Sequence, residues 1–146
     1  METIFVALKE EHDQMADLLQ QALSDGLKAT FVKIRLKADP HMIGEEKFFY
    51  PLLEEREELR ELVSHAYEEH NEAKDLIYEI EGMDERDEKW ITKLSELKQS
   101  IDHHIEEEEA EIFERARNFL SSEEAEEIGQ QYIEFKRSYM NRIETE

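Results

Sequence analysis

Residues 101–112 read Ile101-Asp102-His103-His104-Ile105-Glu106-Glu107-Glu108-Glu109-Ala110-Glu111-Ile112. Sampled at alternating steps of three and four, the spacing that returns to one face of a helix, they give Ile101, His104, Glu108 and Ile112. An imidazole and a carboxylate therefore stand one turn apart on a stripe otherwise made of isoleucine. Such a stripe faces a core, where an unpaired carboxylate costs several kcal/mol or shifts its pKa until it is neutral. The stretch thus predicts a buried helix face carrying a polar pair that something must satisfy.

Working outward, the same stripe continues upstream through Trp90, Leu94 and Leu97. Three further stretches carry comparable stripes. The first reads Phe5, Leu8, His12, Met15, Leu19, Ala22; the second Ile34, Ala38, His41, Glu45, Phe48, Leu52; the third Leu59, Val63, Ala66, His70, Ala73, Ile77, Ile80. Each places one histidine among apolar positions, and two of the four stripes add a glutamate one turn later. The periodicity predicts helices over about 3–23, 29–56, 58–81 and 86–118, with a fifth over about 122–143. Ser24-Asp25-Gly26, Gly82-Met83-Asp84 and Ser121-Ser122-Glu123-Glu124 supply the breaks, the last as a serine cap with acidic residues in the first turn. Pro51 marks the end of the second helix or a kink near it, and Pro40, which removes a hydrogen bond and bends the axis, leaves a break in that helix open. Short connections between long helices imply antiparallel neighbours. The expected fold is all-α: an up-down-up-down four-helix bundle over about 3–118 with an added C-terminal helix, one domain over 1–146.

Composition agrees and narrows the function. Only four glycines and two prolines interrupt 146 residues, of which 39% are charged, a mixture that favours helices. The net charge of -21 repels nucleic-acid phosphates and anionic headgroups, so neither nucleic acid nor membrane is an expected partner. There is no apolar run of about 18 residues to span a bilayer and no basic, then apolar, leader; a cytoplasmic location is expected. The chain has no cysteine, so any metal must be held by imidazole and carboxylate. Motifs for phosphate cradles, dinucleotides and serine nucleophiles are absent.

The halves of the chain repeat. Glu10-Glu11-His12 is followed by Asp17-Leu18-Leu19, and Glu68-Glu69-His70 by Asp75-Leu76-Ile77 at the same spacing. His41 and Glu45 match His104 and Glu108 in the same way, so each half supplies two histidines and a glutamate. Residues at i and i+4 stack on one helix face and can serve one metal centre together. Imidazole with carboxylate suits iron, manganese or zinc rather than calcium or magnesium.

As a set, LKEEHDQM, HMIGEEKFFYPLL, EEHNEAKDL and HHIEEEEAEIF resemble the hemerythrin-like, or HHE cation-binding, family of four-helix bundles over roughly residues 8–118. The resemblance implies a centre of two iron ions held by His12, His41, Glu45, His70, His104 and Glu108. His12 and His41 would serve one ion, His70 and His104 the other, with Glu45 and Glu108 bridging; manganese or zinc are the alternatives. Oxygen-carrying members have two histidines at i,i+4 on the third helix. Here the extra histidine is His65, five residues before His70 and off the seam, which argues against reversible oxygen carriage.

His65 and His103 are expected at the surface, as are Glu11, Glu46, Glu69 and Glu109, with a hydrogen bond from a ligand's ring N–H the lesser alternative for these glutamates and ligation in place of Glu108 a further one for Glu109. Tyr50, Tyr67 and Tyr132 are expected to pack at the rim with their hydroxyls in water. Phe48, Phe49, Met15 and Trp90 are expected in the core. The function implied is a non-heme di-iron protein that binds, senses or reacts with dioxygen, peroxide or nitric oxide. Its rival is a metal-handling or structural module without turnover. The expected partner is thus a small diatomic ligand or peroxide.

Overall fold

The computed structural model describes residues 2–145. Helix α1 (Ile4–Asp25) starts where the Thr3 side-chain oxygen accepts the Val6 N–H at 3.2 Å, satisfying one of the first-turn donors that have no partner inside the helix. It stops at Gly26, whose φ of 67° lets its N–H return to the Ala22 carbonyl, a conformation a side chain would strain. Helix α2 covers residues 28–54, α3 spans Glu57–Glu81, α4 covers residues 90–116 and α5 spans Ser122–Thr145. No strand occurs among the described residues. Ser121 and Glu124 cap α5 reciprocally: the Glu124 N–H donates to the Ser121 hydroxyl at 3.1 Å and the Ser121 N–H to the Glu124 carboxylate at 2.9 Å.

The first four helices close a ring, α1 against α2 and α4, and α3 against α2 and α4. Helix α5 lies over α1 and α2. It comes this close because Gly129 has no side chain: a Cβ there would stand 2.5 Å from the Glu2 carbonyl oxygen.

Two apolar layers fill the bundle. One gathers Phe5, Leu8, Phe49, Tyr50, Leu59 and Phe113; the other gathers Met15, Leu19, Phe31, Ile34, Trp90 and Leu94. Each fully buried side chain of this size contributes about 1.5–3 kcal/mol relative to exposure. Between the layers sit buried His12, Glu45, His70, His104 and Glu108, with His41 at their edge.

For α2 one open question is settled and one expectation corrected. The α-helix runs from Lys28 through buried Pro40 to Gly44 without a break, so the proline is absorbed in a helix braced on several sides. The seam also shifts by one residue. Glu45–Phe49 forms a π turn, in which the Tyr50 N–H reaches back to the Glu45 carbonyl before α-helix resumes over Tyr50–Glu54. The extra residue in this turn rotates the next stretch of helix about its axis. Phe49 is buried as expected, but Phe48 is only half-buried, and Leu53 is buried in place of Leu52, which is 39% exposed. Helix α4 carries the matching π turn, Glu108–Ile112, closed by the Phe113 N–H on the Glu108 carbonyl. No proline stands after the second turn as Pro51 does after the first, so proline is not the common cause. Both turns begin on the buried glutamate.

Candidate metal centre

The structure brings the six sequence-predicted residues to one point. His12, His41, Glu45 and Glu108 form one group and Glu45, His70, His104 and Glu108 a second, the donor atoms within each lying within 4.8 Å of one another. Both glutamates belong to both groups. Glu108 turns Oε1 toward His12 Nε2 at 3.2 Å and Oε2 toward His104 Nε2 at 3.4 Å. Glu45 Oε1 lies 3.1 Å from His41 Nε2 and 3.2 Å from His70 Nε2.

All four imidazoles point the same ring nitrogen inward, because a carboxylate holds the other. The Nδ1–H of His12 donates to Glu109 at 2.7 Å, that of His41 to Glu11 at 2.8 Å, that of His70 to Glu46 at 2.7 Å and that of His104 to Glu69 at 2.8 Å. An ionised carboxylate only accepts, so Nδ1 carries a proton and Nε2 faces the centre, where a neutral ring would offer its lone pair to a cation. This corrects the surface reading of Glu11, Glu46, Glu69 and Glu109. The signal was in the sequence: each stands at the same offset from a seam histidine or glutamate in both halves. Glu109 braces His12 and does not replace Glu108.

Two of the three tyrosines are likewise misread from sequence. Tyr50 is fully buried and its hydroxyl donates to Glu108, with His70 Nε2 at 3.4 Å. Tyr132 on α5 is also fully buried and donates to Glu11, which accepts from Lys136 as well. Nothing short of the tertiary fold links α5 to Glu11, since 121 residues separate Tyr132 from it in sequence. Tyr67 keeps its rim position, donating to Glu54 at 2.9 Å. His65 and His103 stand outside the centre, 48% and 69% exposed.

Electrostatics show what the donor set lacks. His12 Nε2, both Glu45 oxygens and Glu108 Oε1 are buried without any hydrogen-bond partner, although opposing nitrogen and oxygen atoms sit near 3.2 Å. Burial works to lower the His41 pKa, but Glu45 and Glu11 outweigh it and push it up to about 10. Burial likewise opposes the charge of Glu11, yet His41, Lys136 and Tyr132 bring it down to about 2. Burial and the neighbouring Glu108 raise Tyr50 well above the usual phenol range, so it remains a donor. Protons held on His41, His70 and His104 thus balance the carboxylates when no cation does. Bound metal cations are the natural substitute, fit the orphaned atoms, and would release those protons on binding.

The hemerythrin HHE cation-binding domain model matches residues 3–116. This chain belongs to that family. A hemerythrin-like protein of Schizosaccharomyces pombe is 33% identical over 87 residues, which are 58% of this chain and 43% of the relative. The match therefore spans less than half the length of that curated relative. In fold, the chain is similar to a crystal structure of a hemerythrin HHE cation-binding domain-containing protein from Mycobacterium kansasii, with a TM-score of 0.84 and 20% identity over 100% of this chain and 94% of that one. The HHE family name states cation binding, and the shared His/Glu groups are where this chain can provide it.

Proposed function

We propose that this HHE domain is a non-heme di-iron protein that binds, senses or reacts with dioxygen, peroxide or nitric oxide. The observation carrying the reading is the pair of donor groups that share Glu45 and Glu108, each completed by two imidazoles with inward-facing Nε2 atoms. Two neighbouring iron ions would supply two one-electron redox centres and an open position for a small ligand.

The protein residues would divide the remaining tasks. Glu11, Glu46, Glu69 and Glu109 fix ring orientation and raise imidazole basicity through the Nδ1–H bonds. Phe49, Tyr50 and Phe113 close one side of the centre. On the other side a cavity of about 40 Å³ is walled mainly by Met15, Ala38, Met42, Ala73, Ile101 and Ile105 and reaches the four histidines. That is room for a few small-molecule atoms, and its apolar wall favours an uncharged diatomic over an ionic substrate. Tyr50 donates a hydrogen bond to Glu108 and can steady its negative charge as charge at the centre changes.

Protein purified without chelators should contain two iron ions per chain and, when oxidised, show a near-ultraviolet charge-transfer band that azide perturbs. Stopped-flow mixing of the anaerobic reduced protein with oxygen should give oxidation rather than reversible carriage. A reversibly released oxygen complex would overturn the inference from the missing third-helix histidine. Purified protein holding zinc and inert to oxygen, peroxide and nitric oxide would instead establish the structural or metal-handling role.

A further inference from the structure

Outside the centre, α3 and α4 bring a second His/Glu cluster together. His65 and Glu69 lie at i,i+4 on α3, and His103 and Glu107 at i,i+4 on α4. We propose that these four side chains form an outward-facing site for one divalent transition-metal ion, with a donor set and spacing that match zinc.

The distances are those a small cation sets. His65 Nε2 stands 3.4 Å from Glu69 Oε2 and 3.4 Å from Glu107 Oε1. His103 Nε2 stands 3.3 Å from Glu69 Oε2 and 3.2 Å from Glu107 Oε2. Donors about 2.0–2.2 Å from a tetrahedral zinc are about 3.3–3.6 Å from one another, by the geometry of a tetrahedron. The four separations, 3.2–3.4 Å, lie at or just under that edge length, with Glu69 offering one oxygen to both rings and Glu107 one oxygen to each. They are clearly longer than the 2.7–2.8 Å imidazole-carboxylate hydrogen bonds of the inner centre. Each imidazole also faces both carboxylates, whereas an ordinary surface ion pair joins one donor to one acceptor.

Glu69 supplies a second, independent observation. Its side chain is only 7% exposed although its neighbours are at the surface. Oε1 accepts the His104 Nδ1–H at 2.8 Å, which leaves Oε2 aimed at the outer cluster. A buried carboxylate held from one side and open toward two imidazoles is a preformed ligand rather than a mobile surface charge. Two imidazole nitrogens and two carboxylate oxygens suit zinc and its neighbours in the first transition row, not calcium or magnesium. His65 Nδ1 lies 3.7 Å from Glu68, and along the adjoining groove Glu58, Glu61, Glu68 and Glu107 outnumber the single cation Arg115, so the local field attracts a cation. Because Glu69 touches both sites, an ion on Oε2 would draw electron density from the oxygen that braces His104.

The outer donor set is the same whichever metal the inner centre holds. The test is zinc titration of the full chain with its inner metals as purified, by calorimetry against a competing chelator and by metal analysis. The wild type should bind one zinc ion beyond its inner metal content. The variant with both His65→Ala and His103→Ala, which alters only exposed side chains and keeps every carboxylate, should bind it more weakly by at least about a hundredfold, the upper end of what outer partners alone contribute. Its inner metal content and melting curve should match the wild type. Zinc bound equally tightly by the double variant, as adventitious binding to surface carboxylates would give, overturns the site; so does a wild type that takes up no additional zinc.

Discussion

The two halves of the bundle repeat the same inner geometry and differ in what lies outside it. By the register that sets His12 on His70 and His41 on His104, Glu11 corresponds to Glu69, Ala7 to His65, Pro40 to His103 and Gly44 to Glu107. In the first half Ala7, Pro40 and Gly44 are small and buried on the side where α5 packs over α1 and α2. Tyr132 and Lys136 from α5 both bind Glu11 there. In the second half no described helix covers the equivalent face, and the same positions carry two imidazoles and a carboxylate around Glu69. The closure above the centre differs too: Tyr50, which donates to Glu108, corresponds to Phe113, which stacks on His12 with centroids 5.9 Å apart. A duplicated inner site can thus be embedded in unlike surroundings, one braced by a helix and the other open to solvent.

The largest expected effect removes what the halves share. Replacing His41 and His104 together with alanine should abolish binding of both inner metals, measured by metal analysis after gel filtration. Chelation of the wild type should lower its melting temperature, since an ion bound only by the folded state adds about 2.7 kcal/mol at a hundredfold excess over its Kd. An unchanged melting curve after verified metal removal would mean that the inner polar layer is satisfied without cations.

Next in size is a matched pair that probes the difference directly. Glu11→Gln and Glu69→Gln each take a charged acceptor from a ligand histidine, and each should weaken inner metal affinity by about 10–100-fold. Competition with a metal-sensitive chelator measures both. Glu11→Gln should also destabilise the metal-free protein more, because it leaves Lys136 and Tyr132 facing a neutral amide. Equal losses of stability in chemical denaturation would show that α5 contributes nothing through this carboxylate.

Gly129→Ala tests whether α5 must approach α1 so closely. Its Cβ would meet backbone at 2.5 Å, which no rotamer relieves, so a loss of about 1–3 kcal/mol in urea unfolding is expected for this degree of overpacking. Stability equal to wild type would mean that α5 can shift without consequence for Glu11. The smallest effect belongs to His103→Ala, which should leave the inner metal content unchanged. Loss of an inner ion in that variant would mean that the two layers of ligands are not separable.

The sequence by itself determined the helices, the antiparallel bundle and the six inner residues. A period of three and four residues is a local property, and a histidine or glutamate that interrupts an apolar stripe is conspicuous wherever it falls. The duplication added a check, since matching offsets around His12 and His70, and around His41 and His104, are rare in an unpatterned chain. Even the outer carboxylates were legible in that repeat, although a chain with 39 Asp and Glu residues, most of them solvated, hid them. Only the tertiary structure decided the rest. The π turn at Glu45 turns Leu53 inward in place of Leu52, and the π turn at Glu108 is followed by buried Phe113 and Ala116, shifts that no α-periodic reading contains. Which glutamate braces which histidine depends on the neighbouring helix: Glu46 on α2 reaches His70 on α3, and Glu109 on α4 reaches His12 on α1. The role of Tyr132 depends on where α5 docks, and the meeting of His65 with His103 depends on the register between α3 and α4. Periodicity specifies the face on which a side chain lies; the packing of one helix on another specifies what it meets.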